Sequence, residues 1–154
     1  MSTPVRLLAA LVMIALGGAV GHSMGESIRR RAQCLLVLMQ DTQRLENAML
    51  QERLMLMQAL EKCQSPILRG PLEGWRERLS ESGLPLSARD TGCVQELMEQ
   101  LGQGGAAGQR LLLPRIRAQL GELREEALEK YRTLGRLYTS LGTLFALALA
   151  LTFI

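Results

Sequence analysis

Two stretches of this 154-residue chain carry no charged side chain, and they lie at its two ends. Residues 7–25, between Arg6 and Glu26, read LLAALVMIALGGAVGHSMG. Residues 137–154, after Arg136, read LYTSLGTLFALALALTFI. Crossing the hydrocarbon of a bilayer takes about 20 helical residues, since the core is ~30 Å thick and each residue rises ~1.5 Å. The first stretch is just long enough and the second slightly short. Both are expected as transmembrane helices, and residues 28–136 between them suffice for a single helical domain. Gly17, Gly21 and Gly25 repeat every four residues, which suits a close helix-packing face or simply the tolerance of lipid for small residues.

The flanking charges give these stretches a direction. Arg29, Arg30 and Arg31 follow the first; Lys130, Arg132 and Arg136 precede the second, with Tyr138 at the expected interface. Positive flanks tend to stay in the cytoplasm. Both face the middle of the chain, so the expected topology puts both termini outside and residues 28–136 on the cytoplasmic side of the cell membrane. A cleaved secretory signal also begins with a basic residue, an apolar run and small residues. The arginine triplet directly after the run favours an uncleaved anchor instead.

The middle reads as helical throughout, and no segment alternates as a strand would. Residues 28–63 contain neither Gly nor Pro, and Leu35, Leu38, Met39, Leu45, Met49, Leu50, Leu54, Met57 and Leu60 recur at three- and four-residue spacings, predicting one long helix. Met39, Met49, Met55 and Met57 are expected as core filling. After Ser65-Pro66, Gly70-Pro71 predicts a helix over 72–81 carrying Trp75 and Leu79, with Gly83 as its stop. Residues 82–90 form a loop. Asp90 or Thr91 can cap the next helix, whose buried face is Val94, Leu97, Met98 and Leu101. The glycine-rich residues 102–108 predict a flexible connection. A last helix is expected from about Pro114 to Arg136, with Ile116, Leu120, Leu123, Ala127, Tyr131 and Leu134 at near-heptad spacing. That pattern fits antiparallel packing on the 28–63 helix, or a coiled-coil partner.

Chemistry is sparse. The net charge of +3 is spread among alternating acidic and basic residues, without the clustered Lys/Arg and stacking aromatics of a nucleic-acid surface. Cys34, Cys63 and Cys93 are widely spaced and sit in apolar helical patterns, and the only histidine is His22. Buried reduced thiols are expected, with no zinc site and no disulfide framework. No hydrolase, metalloprotease or nucleotide-binding motif is present, and the 102–108 glycines lack the Lys-Ser/Thr of a phosphate loop. Glu125, Glu126 and Glu129 fit a solvated helix face. The reading is a non-enzyme without cofactor or small-molecule substrate.

The layout resembles the stage III sporulation protein AB family of endospore-forming Firmicutes. Leu101-Gly102-Gln103 with Gln109 is similar to a family segment, as are Leu120, Leu123 and Ala127 in the long helix. Leu137-Tyr138, Ser140, Leu141-Gly142 and Leu144 match the family's lead into its last helix. Residues 104–107 and Pro114 depart from the pattern. The resemblance implies a member of an eight-protein assembly in the mother-cell membrane around the forespore. It also implies a soluble domain similar to the cytoplasmic helical domains of type II secretion and type IV pilus platform proteins. The partners it implies are a hexameric ATPase and the other membrane subunits, with Gln103 and Gln109 as candidate contacts. A secretion- or pilus-like scaffold unrelated to sporulation is the alternative.

Overall fold

A computed structural model describes residues 3–153; most side chains of residues 3–20 and several in the last helix lie outside that description. Every regular element among the described residues is helical. Helix α1 spans Thr3–Glu46 and ends in a π-helical turn, Asn47–Gln51. Helices α2 (Leu56–Glu61), α3 (Trp75–Glu81) and α4 (Ala88–Gln100) follow. Helix α5 (Gly105–Lys130) leads through a second π-helical turn, Tyr131–Gly135, into α6 (Arg136–Phe153). The chain divides into two compact units: Arg31–Glu126, and the residues up to Arg30 together with those from Ala127 onward.

In the unit Arg31–Glu126 the second half of α1 packs antiparallel to α5. Glu46 accepts from Arg117 at 2.8 Å, and a Cβ on Gly121 would stand 3.6 Å from the Met39 sulfur. The expected α5 stripe is buried at Ile116, Leu120 and Leu123, facing Leu35, Leu38 and Leu45 of α1 as fellow core residues. Val94, Leu97, Met98 and Leu101 supply the buried face of α4. Each such side chain contributes roughly 1.5–3 kcal/mol by leaving water.

The 28–63 helix is broken. After the π-helical turn Arg53 takes a left-handed φ of 55°, and Leu54 N–H returns to the Ala48 carbonyl at 2.9 Å. The cause is tertiary. Asp41 on α1 is fully buried and accepts from Gln64 N–H at 2.9 and 3.0 Å and from Ser65 N–H at 2.6 Å. That carboxylate draws the segment after α2 back onto α1. The reversal leaves Met55 (77% exposed) and Met57 (52%) on the surface, so these two methionines are not core filling.

Further boundaries shift for physical reasons. Helix α3 starts at Trp75, because Gly74 takes φ 75° at its N-cap and Arg78 donates to the carbonyls of Pro71 and Glu73, holding the preceding turn open. The cap of α4 is Ser87, not Asp90 or Thr91. Helix α5 begins at Gly105, so the segment before Pro114 is helical and Pro114 lies inside the helix. A proline there donates no hydrogen bond to the carbonyl four residues back. Residues 102–104 alone form the turn, and Gly102 (φ 84°) is required there: a Cβ would stand 2.9 Å from Leu56 Cδ2. Gly102→Ala should cost about 1–2 kcal/mol in backbone conformation, read as a lower urea midpoint. The steric part of the loss should shrink when Leu56→Ala is added.

Among the described residues no helix is long and apolar enough to cross a membrane. Helices occupy both ends, but the spans expected over 7–25 and 137–154 are not supported, and most of the 7–20 side chains on which the first rests lie outside the described residues.

Candidate functional site

The most elaborate polar arrangement in the unit Arg31–Glu126 joins α1 to the start of α4. Ser87-Ala-Arg-Asp90 forms a reciprocal cap: Ser87 Oγ accepts from Asp90 N–H at 3.3 Å, and Asp90 Oδ2 accepts from Ser87 N–H at 2.8 Å. Arg31 then grips the same carboxylate with both arms of its fork, Nε to Oδ2 at 2.7 Å and Nη2 to Oδ1 at 2.8 Å, and donates to Ser87 Oγ at 3.1 Å. The Asp90 side chain is fully buried and that of Arg31 is 15% exposed. Burial alone would push the Asp90 carboxyl up; the Arg31 hydrogen bonds and charge, with the Ser87 contacts, outweigh it and hold the group below its ordinary value. Arg31 is thus committed to a buried pair, whereas Arg29 and Arg30 are exposed and lie 3.9 and 3.5 Å from the Glu26 carboxylate.

The two glutamines of the α4–α5 connection take different places. Gln103 is exposed, and its side chain donates to the Glu99 carbonyl at 2.6 Å. Gln109 is buried; its Nε2 donates to the carbonyls of Gln103 at 2.8 Å and Gln100 at 3.3 Å, closing the end of α4. Its Oε1 is buried without a partner. Gln109 therefore holds the turn together, and only Gln103 presents a surface to a partner. Gly108 permits this closure, since a Cβ there would stand 3.0 Å from the Gln103 carbonyl oxygen.

Further along, α4 and α5 border an open cleft of about 540 Å³ lined by Arg89, Cys93, Glu96, Gln119, Glu122 and Glu126, among others. Two of its carboxylates have basic partners: Glu126 accepts from Arg89 at 3.0 Å, and Glu96 from Arg115. Glu125 and Glu129 are exposed, as a solvated face requires. All three cysteines are free thiols, with Cys63 and Cys93 buried and Cys34 half-buried. Burial, with the nearby Glu96 and Asp90, pushes the Cys93 thiol up to about 11; burial, with Asp41, pushes Cys63 up to about 12. Such thiols stay protonated and are poor nucleophiles. At pH 8 Cys93 in the folded chain should react with iodoacetamide about a hundredfold more slowly than in urea, measured by mass spectrometry of quenched samples. Among the described residues no group of His, Cys, Asp and Glu could hold a metal ion.

In the other unit, Lys130, Tyr131 and Arg132 are exposed, and Gly25 meets the Tyr131 ring, a Cβ there standing 3.8 Å from Cε2. The side chains of Arg136 and Tyr138, expected at the membrane flank, lie outside the described residues. Exposed large apolar side chains follow on α6: Leu137, Leu141, Leu144 (65%), Phe145 (70%) and Leu147. These positions cover less than half of the helix circumference. The sequence signal for this face was the uncharged run itself. The signal for the Arg31–Asp90 pair was weaker, a Ser-x-x-Asp cap with nothing nearby to announce its distant arginine.

A family model described as stage III sporulation protein AB matches residues 69–154, more than half of the chain. The match begins after α2 and does not include the N-terminal segment to which the resemblance extended. No curated protein and no solved structure matches.

Proposed function

The chain belongs to the stage III sporulation protein AB family, and from that premise we propose that it is a non-catalytic membrane platform component of a sporulation complex, coupling a cytoplasmic ATPase to membrane subunits. The family gives a sporulation-related role. The observation that carries the membrane part is α6, with its exposed Leu137, Leu141, Leu144, Phe145 and Leu147 beginning directly after a basic segment. Exposed apolar side chains concentrated on one helix face mark a surface made for lipid or for other apolar helices. The uncharged runs of residues 7–25 and 137–154 are the sequence feature behind this reading. The absence of a catalytic role is supported by how the buried polar groups of the unit Arg31–Glu126 are spent. Asp41, Asp90, Arg31 and Gln109 each hold a helix end or a turn. The ATPase as partner rests on the family resemblance.

Leu144→Arg places a charge on the exposed α6 face, away from the folded core, and in a bilayer centre such a residue costs about 2.5–3.5 kcal/mol. The variant should leave the carbonate-resistant membrane fraction while keeping its helical content. A pull-down with the ATPase of the same complex should retain it on the native chain. Failure of that retention, together with normal sporulation after deletion, would overturn the platform reading.

A further inference from the structure

Two basic clusters far apart in sequence meet at one level of the unit formed by the residues up to Arg30 and those from Ala127 onward. Gly25 makes the meeting possible, its open side lying against the Tyr131 ring. Arg29 and Arg30 lie about one turn beyond Gly25 on α1; Lys130 and Arg132 flank Tyr131, and Arg136 follows one turn later. The Arg29 and Arg30 side chains are 57% and 69% exposed. Glu26 and Glu129 are the carboxylates nearest in sequence, fewer than the exposed arginines Arg29, Arg30 and Arg132. The Glu26 contacts at 3.9 and 3.5 Å are long and exposed, and pairs of that kind hold their partners weakly. Immediately past the cations the exposed face of α6 begins at Leu137.

We propose that this collar is a binding surface for anionic phospholipid headgroups. The inference rests on the membrane reading above and adds a lipid preference to it. Guanidinium forks match phosphate oxygens in pairs, and a tyrosine with an apolar ring and a polar tip suits the headgroup level. The position of the collar favours lipid over an acidic protein segment: the charges abut an apolar face within one helical turn, the same order in which a leaflet presents headgroups and acyl chains. A cation near an anionic bilayer surface is worth about fivefold in affinity per side chain.

The test uses the full chain, reconstituted in vesicles of equimolar phosphatidylcholine and phosphatidylglycerol, floated, then extracted in mild detergent for analysis of the retained lipid. The ratio of phosphatidylglycerol to phosphatidylcholine in the retained lipid should be several-fold above that of the bilayer. The triple variant Arg29→Gln/Arg30→Gln/Arg132→Gln should float equally but retain the two lipids in bilayer proportion, and high salt should have the same effect on the native chain. Flotation without enrichment, or enrichment that survives the triple variant, overturns the lipid preference alone. Failure to float with either lipid removes the membrane reading as well. Arginine-dependent binding of polyglutamate by the detergent-solubilised chain, without lipid enrichment, assigns the collar to an acidic protein partner and overturns the proposal.

Discussion

Asp90→Ala should lower the stability of the unit Arg31–Glu126 by about 3–5 kcal/mol, the usual consequence of removing one partner of a buried ion pair. The reason is what remains. Arg31, 15% exposed, would keep its charge in a site with no counter-ion, and the start of α4 would lose half of its reciprocal cap. Domains of this size are stable by only about 5–15 kcal/mol, so the variant should show a large fall in urea midpoint. Replacing both partners, as Arg31→Met/Asp90→Leu, should recover much of the loss, because two apolar groups leave no buried charge. The pH dependence has a definite sign. The carboxyl is held below its ordinary value in the folded chain. Its contribution is therefore fully present above the unfolded value of about 3.9 and is lost as pH falls through that value towards the folded one. Acid unfolding of the native chain should steepen in that range. The double variant, lacking the group, should be flatter there.

Asp41→Ala is expected to be nearly as damaging, on the order of 3 kcal/mol, since hydrogen bonds to a buried charge are worth more than neutral ones. It removes the acceptor for Gln64 and Ser65 N–H and the partner of Arg44, which donates at 2.8 Å. Two backbone donors would then be left without their acceptor beside Ser65, itself buried. The distinguishing readout is local. Amide hydrogen exchange at Gln64 and Ser65 should accelerate well beyond the change seen at the core amides of α5. Asp41→Asn should rescue only partly, because its amide nitrogen would face a donor. Uniform acceleration throughout the unit would show instead that Asp41 acts only through global stability.

These two aspartates show where sequence and structure part. The periodic faces of α1, α4 and α5 were legible, because a stripe of Leu, Ile and Val can be buried in only one way. The antiparallel pairing of α1 with α5 was legible for the same reason. The break after Gln51 was not. No glycine or proline marks it, and it arises from a carboxylate on α1 binding amides more than twenty residues later. The start of α5 was misplaced in the opposite sense: Gly104, Gly105 and Gly108 read as a flexible connection, yet Gly108 N–H bonds to the Gly104 carbonyl at 3.1 Å and Gln109 ties the turn to α4. Local propensity lost to tertiary hydrogen bonds in both places. Of the residues singled out beforehand, Arg29, Arg30 and Arg132 stand exposed near the base of the apolar end, Arg31 is drawn into the helix cap, and Gln109 is buried while Gln103 is not.

The π-helical turn at Tyr131–Gly135 also bears on insertions and deletions. A wider turn of this kind accommodates one residue more than the α-helical path would. Deleting one residue within the turn would remove that extra residue and restore an unbroken α-helix, with α6 keeping its phase relative to the end of α5. Leu137, Leu141 and Leu144 would then look in the same directions as before. The wider turn thus gives this helix a place that absorbs a change of length, and a single-residue deletion here should be better tolerated than one within the regular turns of α5.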